Sequence, residues 1–418
     1  MLCADACEGG PWGPQTAIDM GDSVEQQPTV LVTGAGGFIG HHLTRYLVDK
    51  GYSVRAVDVK PPEYEPSPAD DFRALDLRRW ESCLEATRGM DQVYHLAANM
   101  GGIGFIETNK AVIVHDNTLI NTHILEAARQ NGASRLLYTS SACIYPGYLQ
   151  ESPDVTPLKE SDAYPADAED GYGWEKLMAE RLCRHYYEDY GLATYSVRFH
   201  NIFGPLGTYD GGREKSPAAI CRKIALAADG DEIEVWGDGQ QTRSYCYVSD
   251  CVEGLYRLMQ SDYHEPINLG QDRMVTIDEL VDMVAAIAGK TIKKRHDFSK
   301  PQGVRGRNAD ISLMRSVLGW EPQVRLEDGS LTPMPGSSGS SPRAPGIRRL
   351  TRPRRSGPNR HDDRPARHRT RSGTSCRAPC RGQTFAPVSR RPRPCHPGPS
   401  RLDGRCCELP RSPTCMLG

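Results

Sequence analysis

No run of about 18 apolar residues occurs anywhere in the 418-residue chain, so no membrane-spanning helix is expected. The first 27 residues carry Asp and Glu and lack a basic stretch followed by an apolar one, the form of a secretory leader. Finger-like pairs of Cys and His are missing too: Cys376 and Cys380 stand four apart with no second pair, and no metal site is expected. Lysine is absent from the last 88 residues, where 19 Arg, 15 Pro and six Cys meet only four acidic residues. No apolar run there suffices for a strand or an amphipathic helix, and such a segment buries too little surface to offset its chain entropy. Residues 331–418 are expected to form a disordered Arg/Pro-rich tail, and residues 1–27 a disordered N-terminus. So abrupt a change of composition arises from a shifted reading frame as readily as from a solvated extension.

The formal charge of −2 hides an asymmetry. The tail's 19 Arg and four acids give +15, and the other 32 basic and 49 acidic residues give −17. An arginine-rich tail attracts polyanions, but without interleaved aromatics to stack bases a nucleic-acid partner is not expected. Of 14 cysteines, six lie in the tail, two are Cys3 and Cys7, and six are scattered without paired spacing. That pattern fits reduced thiols in a soluble, cytoplasmic protein with no membrane partner.

What the chain does have is a strand, a glycine turn and a helix in succession. The β-branched run Thr29-Val30-Leu31-Val32 leads into Thr33-Gly34-Ala35-Gly36-Gly37-Phe38-Ile39-Gly40 and a helical stretch from His41. Gly34, Gly37 and Gly40, with Phe38 and Ile39 between them, have the spacing that bends a turn tightly, admits a pyrophosphate to the backbone and packs helix on strand. A second strand, residues 53–58, ends in Asp58, where a carboxylate accepts hydrogen bonds from a ribose diol and repels a 2′-phosphate. The expected cofactor is NAD rather than NADP. Asp76, after a third apolar stretch, reads equally as an adenine contact or a surface acid. Further strands at 93–98 and 135–140, alternating with helices, give the expected fold: α/β, a Rossmann-type doubly wound parallel sheet with a smaller C-terminal substrate-binding α/β region. The expected boundaries are an NAD-binding domain over 28–200 and a sugar-nucleotide-binding region over 201–330, the latter holding an amphipathic helix at 277–288 ended by Gly289.

Tyr172 and Lys176 are four apart, on one face of a helix. About thirty residues earlier stands Ser140-Ser141-Ala142-Cys143-Ile144-Tyr145. A serine, tyrosine and lysine together can take a proton from a sugar hydroxyl as hydride leaves the carbon. They have no use for a thiol, so Cys143 points to a second reaction. Read as a continuing strand, Ser141 and Cys143 project to the same side; taken alone, a strand cysteine is equally a buried small hydrophobe. Arg243, Arg305 and Arg307 are spaced to grip a nucleotide diphosphate or, alternatively, to bridge surface acids. His95 and His200, near strand ends, read as packed histidines.

These segments, with residues 97–106, 198–205, 211–219, 236–244 and 303–308, resemble the extended short-chain dehydrogenase/reductase family, the group of nucleotide-sugar epimerases, dehydratases and decarboxylases. The resemblance runs from about Thr29 to about Glu327. As a set the motifs are similar to the branch that epimerises GDP-mannose at C3 and C5. That resemblance implies GDP-mannose as substrate, NAD as cofactor and a homodimer. It implies Tyr172 and Lys176 as the catalytic pair beside the cofactor, Ser141 as their hydroxyl partner, and Cys143 and Lys215 as the groups that invert carbon. Substrate contacts are implied at Gly101, Ser141, Ala142, Cys143, Asn201, Glu214, Lys215, Ser216, Lys223, Gln241, Thr242, Arg243 and Arg307, with Arg305 among the arginines.

A carbonyl at C4 would acidify both C3–H and C5–H. Tyr172, its phenol lowered by Lys176 and the nicotinamide cation, would take the C4 hydroxyl proton. Cys143, made thiolate by a nearby cation such as Lys215, would be a base. The family's chain continues past residue 329 into a final helix and a further substrate contact, to which nothing here is similar. The nearest rival is an NADPH-consuming epimerase-reductase of a 4-keto-6-deoxy sugar nucleotide, against which Asp58 and Lys215 argue. A C4 epimerase needs no thiol, and a decarboxylase or dehydratase would place an acid near Cys143, where the sequence shows none. A non-catalytic binder of NAD and nucleotide sugars is the alternative of another class.

Overall fold

Val30 and Val32 pack to one side of the first strand and Leu31 to the other, which is why an uninterrupted apolar run forms a strand covered on both faces. The computed structural model describes residues 27–329; the readings made for the N-terminal segment and the Arg/Pro-rich tail lie outside them. The strands are β1 (Val30–Thr33), β2 (Val54–Asp58), β3 (Asp71–Ala74), β4 (Gln92–His95), β5 (Arg135–Ser141), β6 (Ala193–Phe199), β7 (Ile202–Phe203), β8 (Glu232–Trp236), β9 (Thr242–Ser244), β10 (Cys246–Tyr247), β11 (Ile267–Leu269), β12 (Met274–Thr276), β13 (Lys293–Asp297) and β14 (Gly306–Arg307). The helices are α1 (Phe38–Asp49), α2 (Trp80–Thr87), α3 (Ile103–Thr108), α4 (Lys110–Gln130), α5 (Asp170–Tyr190), α6 (Ser216–Leu226), α7 (Val248–Gln260), α8 (Ile277–Ile287) and α9 (Ser312–Leu318).

Seven strands form one parallel sheet in the order β11-β6-β5-β4-β1-β2-β3. This is the doubly wound arrangement, and its strand order reverses between β1 and β4, where such folds open a crevice at the carboxyl ends of the strands. One face is covered by α1 and α7 through Leu43, Leu47, Val252, Leu255 and Leu258. The other carries α2, α4 and α5 through Cys83, Ile124, Leu125 and Cys183. The seventh strand comes from inside the segment that the sequence allots to the sugar side, so the chain returns to the first sheet after leaving it.

The fourth strand stops at His95 rather than running to residue 98, because Leu96 and Ala97 donate their N–H groups to Thr33 Oγ1 (3.1 and 3.2 Å). Beyond the sheet a smaller region has a core of its own, with Ile220, Ile224, Ile233, Leu280, Val281 and Val284 at its centre. Each such side chain contributes about 1.5–3 kcal/mol by leaving water. Its helix α8 begins in a capping box: Thr276 Oγ1 accepts from Glu279 N while Glu279 accepts from Thr276 N. The β12-β9-β14 sheet of this region sets Arg307 beside Arg243 in register. No helix among the described residues is long and apolar enough to cross a membrane.

Candidate active site

At the crevice, Gly34 has φ +72°, and a Cβ on Gly40 would stand 2.1 Å from Gly34 O. Both positions therefore require glycine. Helix α1 starts directly after this turn with no side-chain cap and no acid in its first turn, which leaves a partial positive charge facing the crevice. Asp58 accepts from Gly36 N (3.0 Å) and Lys60 N (3.3 Å). Burial pushes its pKa up and the backbone donors pull it down. Lys60 is turned to Glu63 at 3.5 Å. Turn, helix end and carboxylate fit a dinucleotide whose ribose carries a diol rather than a phosphate. Replacing Asp58 with Asn is expected to weaken NAD binding about tenfold, the scale of one hydrogen bond to a charged group, and to narrow the preference over NADP; calorimetric titration with both reads the result. Asp76 is held through both oxygens by Arg78 (2.9 and 2.7 Å), which keeps its carboxyl below the ordinary range.

The expectation that Ser141 and Cys143 share a strand face is corrected. Strand β5 ends at Ser141, whose Oγ accepts from Cys143 N at 3.2 Å and so starts a single 3-10 turn, Ala142–Ile144. A side-chain cap competes here with the sheet ladder and wins. The turn is seated on α5: Glu169 N donates to Cys143 O (2.8 Å), and a Cβ on Gly173 would lie 2.2 Å from that same oxygen.

Tyr172 and Lys176 project from α5 as their spacing predicts. Tyr172 is buried and hydrogen-bonded to Ser141. Lys176 Nζ donates to Thr139 O (3.1 Å) and lies 5.7 Å from the centre of the Tyr172 ring. The expected lowering of the phenol by Lys176 is not a property of the chain by itself. Burial holds Tyr172 well above its ordinary value with only the Ser141 bond opposing, and burial likewise pulls Lys176 down.

A second correction concerns the surroundings of Cys143. Arg307 directs Nη1 at Cys143 Sγ (3.5 Å), Nε at Gln150 Oε1 (2.7 Å) and Nη2 at Glu169 Oε1. Gln150 Nε2 also donates to Glu169 (3.2 Å). An acid thus stands beside the thiol after all, matched by a guanidinium. Neither Gln150 nor Glu169 lies in a motif. Lys215, the residue before α6, is solvent-exposed yet ringed by protein; lost hydration lowers its pKa, opposed first by Cys143 and then by Cys251. Tyr172, Lys176, Lys215 and Arg243 all lie within electrostatic reach of Cys143.

Gly101 packs on Phe105, and Ala142 is buried in the turn. Asn201, at φ +33°, donates to Ser244 O (3.0 Å). Glu214 meets Arg222 at 3.5 Å, with its Oε2 buried and unpartnered. Ser216 Oγ pairs with Tyr245 Oη (2.9 Å), Lys223 donates to Glu234 O (2.7 Å), and Thr242 Oγ1 to Pro153 O (2.5 Å). Gln241 donates to Trp236 O (2.9 Å), while its Oε1 is buried without a partner. Arg243 reaches Thr242 O (2.7 Å) and Gln302 O (3.3 Å), and burial lowers its pKa. Arg305 bonds Asp238 (2.9 Å) and Gln302 (3.0 Å), the acid-bridging alternative. His95 and His200 are buried against side chains of neighbouring strands and helices.

The model of the NAD-dependent epimerase/dehydratase family matches residues 30–270. GDP-mannose 3,5-epimerase of Arabidopsis thaliana is 49% identical over 302 residues, 72% of this chain and 79% of that protein. GDP-mannose 3,5-epimerase 1 of Oryza sativa subsp. japonica is 48% identical over the same shares. The structure of UDP-glucose 4-epimerase with UDP-glucose from Thermotoga maritima aligns with a TM-score of 0.66 at 26% identity, covering 73% of this chain and 96% of that one. With its glycine turn, its Ser-Tyr-Lys constellation and a family match over more than half its length, the chain belongs to the NAD-dependent epimerase/dehydratase family.

Proposed function

We propose that the chain converts GDP-mannose to GDP-L-galactose by inverting C3 and C5, with the C4 hydroxyl oxidised and restored within each turnover. One observation carries the reading: Arg307 Nη1 stands 3.5 Å from the Cys143 sulfur, with Tyr172, Lys176 and Lys215 within electrostatic reach of the thiol. A reaction confined to C4 has no work for that thiol. The identity with plant GDP-mannose 3,5-epimerases supports the choice of sugar nucleotide.

Hexose C3–H and C5–H resist any protein base until a carbonyl stands between them. The glycine turn, the first turn of α1, Asp58 and the Tyr172–Lys176 pair would hold NAD, which when bound takes hydrogen with its electron pair from C4 and sets positive charge near the phenol. Tyr172 Oη takes the C4 hydroxyl proton, and Ser141 Oγ, bonded to Tyr172, steadies the same oxygen. The two then serve as donors to the oxyanion of the enolate. Inversion needs a base on one face of the ring and an acid on the other; Cys143 Sγ and Lys215 Nζ take these two roles. Gln150 and Glu169 aim Arg307 at the sulfur. Arg243, with Lys223 and Gln241 nearby in the smaller region, is the proposed diphosphate grip.

Incubation with NAD and GDP-mannose in deuterated water is expected to place deuterium at C3 and C5. Label at neither carbon, with NAD bound tightly, would leave the non-catalytic binder. Lys176 works as an ammonium ion, and burial lowers its pKa. Its protonated fraction therefore falls at lower pH than an ordinary lysine's, so kcat is expected to drop on the alkaline side below about pH 10. A limb at or above that value counts against this role.

The proposed division of labour is NAD binding by residues 28–200 and sugar-nucleotide binding by 201–330. We also infer a homodimer: α4 and α5 lie side by side, and Val112, Trp174 and Met178 stand exposed on them, a surface that a second copy would cover as a four-helix pairing. Among the described residues, Cys83, Cys143, Cys183, Cys246 and Cys251 are thiols, which supports a reducing, cytoplasmic setting.

A further inference from the structure

Behind the crevice lies a buried carboxylate to which the proposed reaction gives no part. The Glu175 side chain is fully buried, and its Oε1 lies 4.0 Å from Lys176 Nζ. Two arms of hydrogen bonds end on it, and the direction of each is fixed. In the first, Leu96 N and Ala97 N both donate to Thr33 Oγ1, so the Thr33 hydroxyl hydrogen goes to His95 Nδ1 (2.8 Å). His95 then carries its own hydrogen on Nε2 and donates to Asn121 Oδ1 (3.0 Å), which turns Asn121 Nδ2 toward Glu175 Oε2 (3.0 Å). The ring is neutral: burial pulls its pKa down to about 3. In the second arm, Asn99 N donates to Asn117 Oδ1 (2.6 Å), which turns Asn117 Nδ2 toward Glu175 Oε1 (2.8 Å).

Both carboxylate oxygens therefore receive N–H donors, and neither arm offers an acceptor for a carboxylic O–H. That is the bonding of an anion. Burial raises the Glu175 pKa, and Lys176 is the foremost influence opposing it. The other titratable groups facing Lys176 are Cys143 on the turn after β5, His95 on β4, Tyr138 on β5, and Tyr172, Glu180 and Cys183 on α5. Glu180 is already matched by Arg198, which donates to both its oxygens (3.0 and 2.8 Å).

We propose that Glu175 is a positioning residue: the fixed counter-charge that keeps Lys176 an ammonium in a water-poor interior, held in place by the His95–Asn121 and Asn99–Asn117 arms. The idea rests on the reading above that Lys176 acts as a cation beside Tyr172. It deepens that reading by tying the charge of the catalytic pair to the loop after β4 and to Thr33, the residue before the glycine turn.

The test is a stability cycle on the full chain, measured as Tm, with a pH profile beside it. Lys176→Met is expected to lower Tm by leaving a buried carboxylate unmatched, and adding Glu175→Gln should recover part of that loss, short of all of it because the new amide sets an N–H against an Asn donor. A double variant no more stable than Lys176→Met overturns the proposal, and this holds whether or not the chain turns over GDP-mannose. In the otherwise unaltered chain, Glu175→Gln should move the alkaline limb of kcat down by about one pH unit with KM for the sugar nucleotide little changed. Glu175→Asp, which keeps the charge, should hold the limb near its original place. A uniform loss of kcat at every pH, with the limb unmoved in Glu175→Gln, also overturns it.

Discussion

Replacing Cys143 with alanine is expected to stop deuterium from entering C3 and C5 of GDP-mannose while leaving chemistry at C4 in place. The loss of label should be about 10³-fold, the middle of the range for removing a general acid or base, equivalent to about 4 kcal/mol of barrier. Geometry makes this separation clean. The bonds that seat the turn run through the Cys143 backbone, to Ser141 Oγ at its N–H and from Glu169 N at its carbonyl, so removing the sulfur leaves the Ser141–Tyr172 contact standing. A carbonyl should still form at C4 and be trapped as C4 label by borodeuteride. Serine at position 143 should behave like alanine, because its hydroxyl is too weak an acid to be held as the anion by Arg307. Label entering C3 and C5 of the alanine variant near the original rate would remove Cys143 from the chemistry, and the case for 3,5-inversion would then rest on the kinship with plant enzymes alone.

What could be read from the sequence is what neighbouring residues impose on one another. The glycine turn, Asp58 and the Tyr172–Lys176 face were legible because steric need and helical spacing act over a few residues. The pairing of Asp76 with Arg78, two residues away, is legible on the same grounds. The early end of β4 was not legible, since the hydroxyl that captures Leu96 N and Ala97 N belongs to Thr33, on the neighbouring strand. The turn at Cys143 was compatible with two readings: Ser-x-Cys can continue a strand or cap a turn, and packing against α5 decides between them. Glu169 and Gln150 meet Arg307 only because β14 pairs beside β9, a register no local pattern encodes.

That packing against α5 makes Gly173→Ala a demanding test of how the site is built. Judged by helix propensity alone, alanine inside α5 should stabilise the chain by about 1 kcal/mol. Here the added Cβ would lie 2.2 Å from Cys143 O, 3.1 Å from Cys143 C and 3.2 Å from Ala168 Cβ. The nearest of these are backbone atoms, which cannot swing aside as the end of a long side chain can. The Ala142–Ile144 turn must therefore move away from α5, carrying the thiol from Arg307 and straining the Glu169 N to Cys143 O bond. The expected net effect is a loss of stability of about 1–3 kcal/mol from overpacking, together with a fall in kcat for inversion of about 10²-fold, the scale set by misplacing a reacting group by roughly 1 Å. Tyr172 and Lys176, on either side of Gly173, keep their own helical positions, so formation of the C4 carbonyl should fall less than proton exchange at C3 and C5. Equal losses of both would mean that the helix rather than the turn had moved. A raised Tm with unchanged kcat would mean that close seating of the turn on α5 does not hold the thiol to its task.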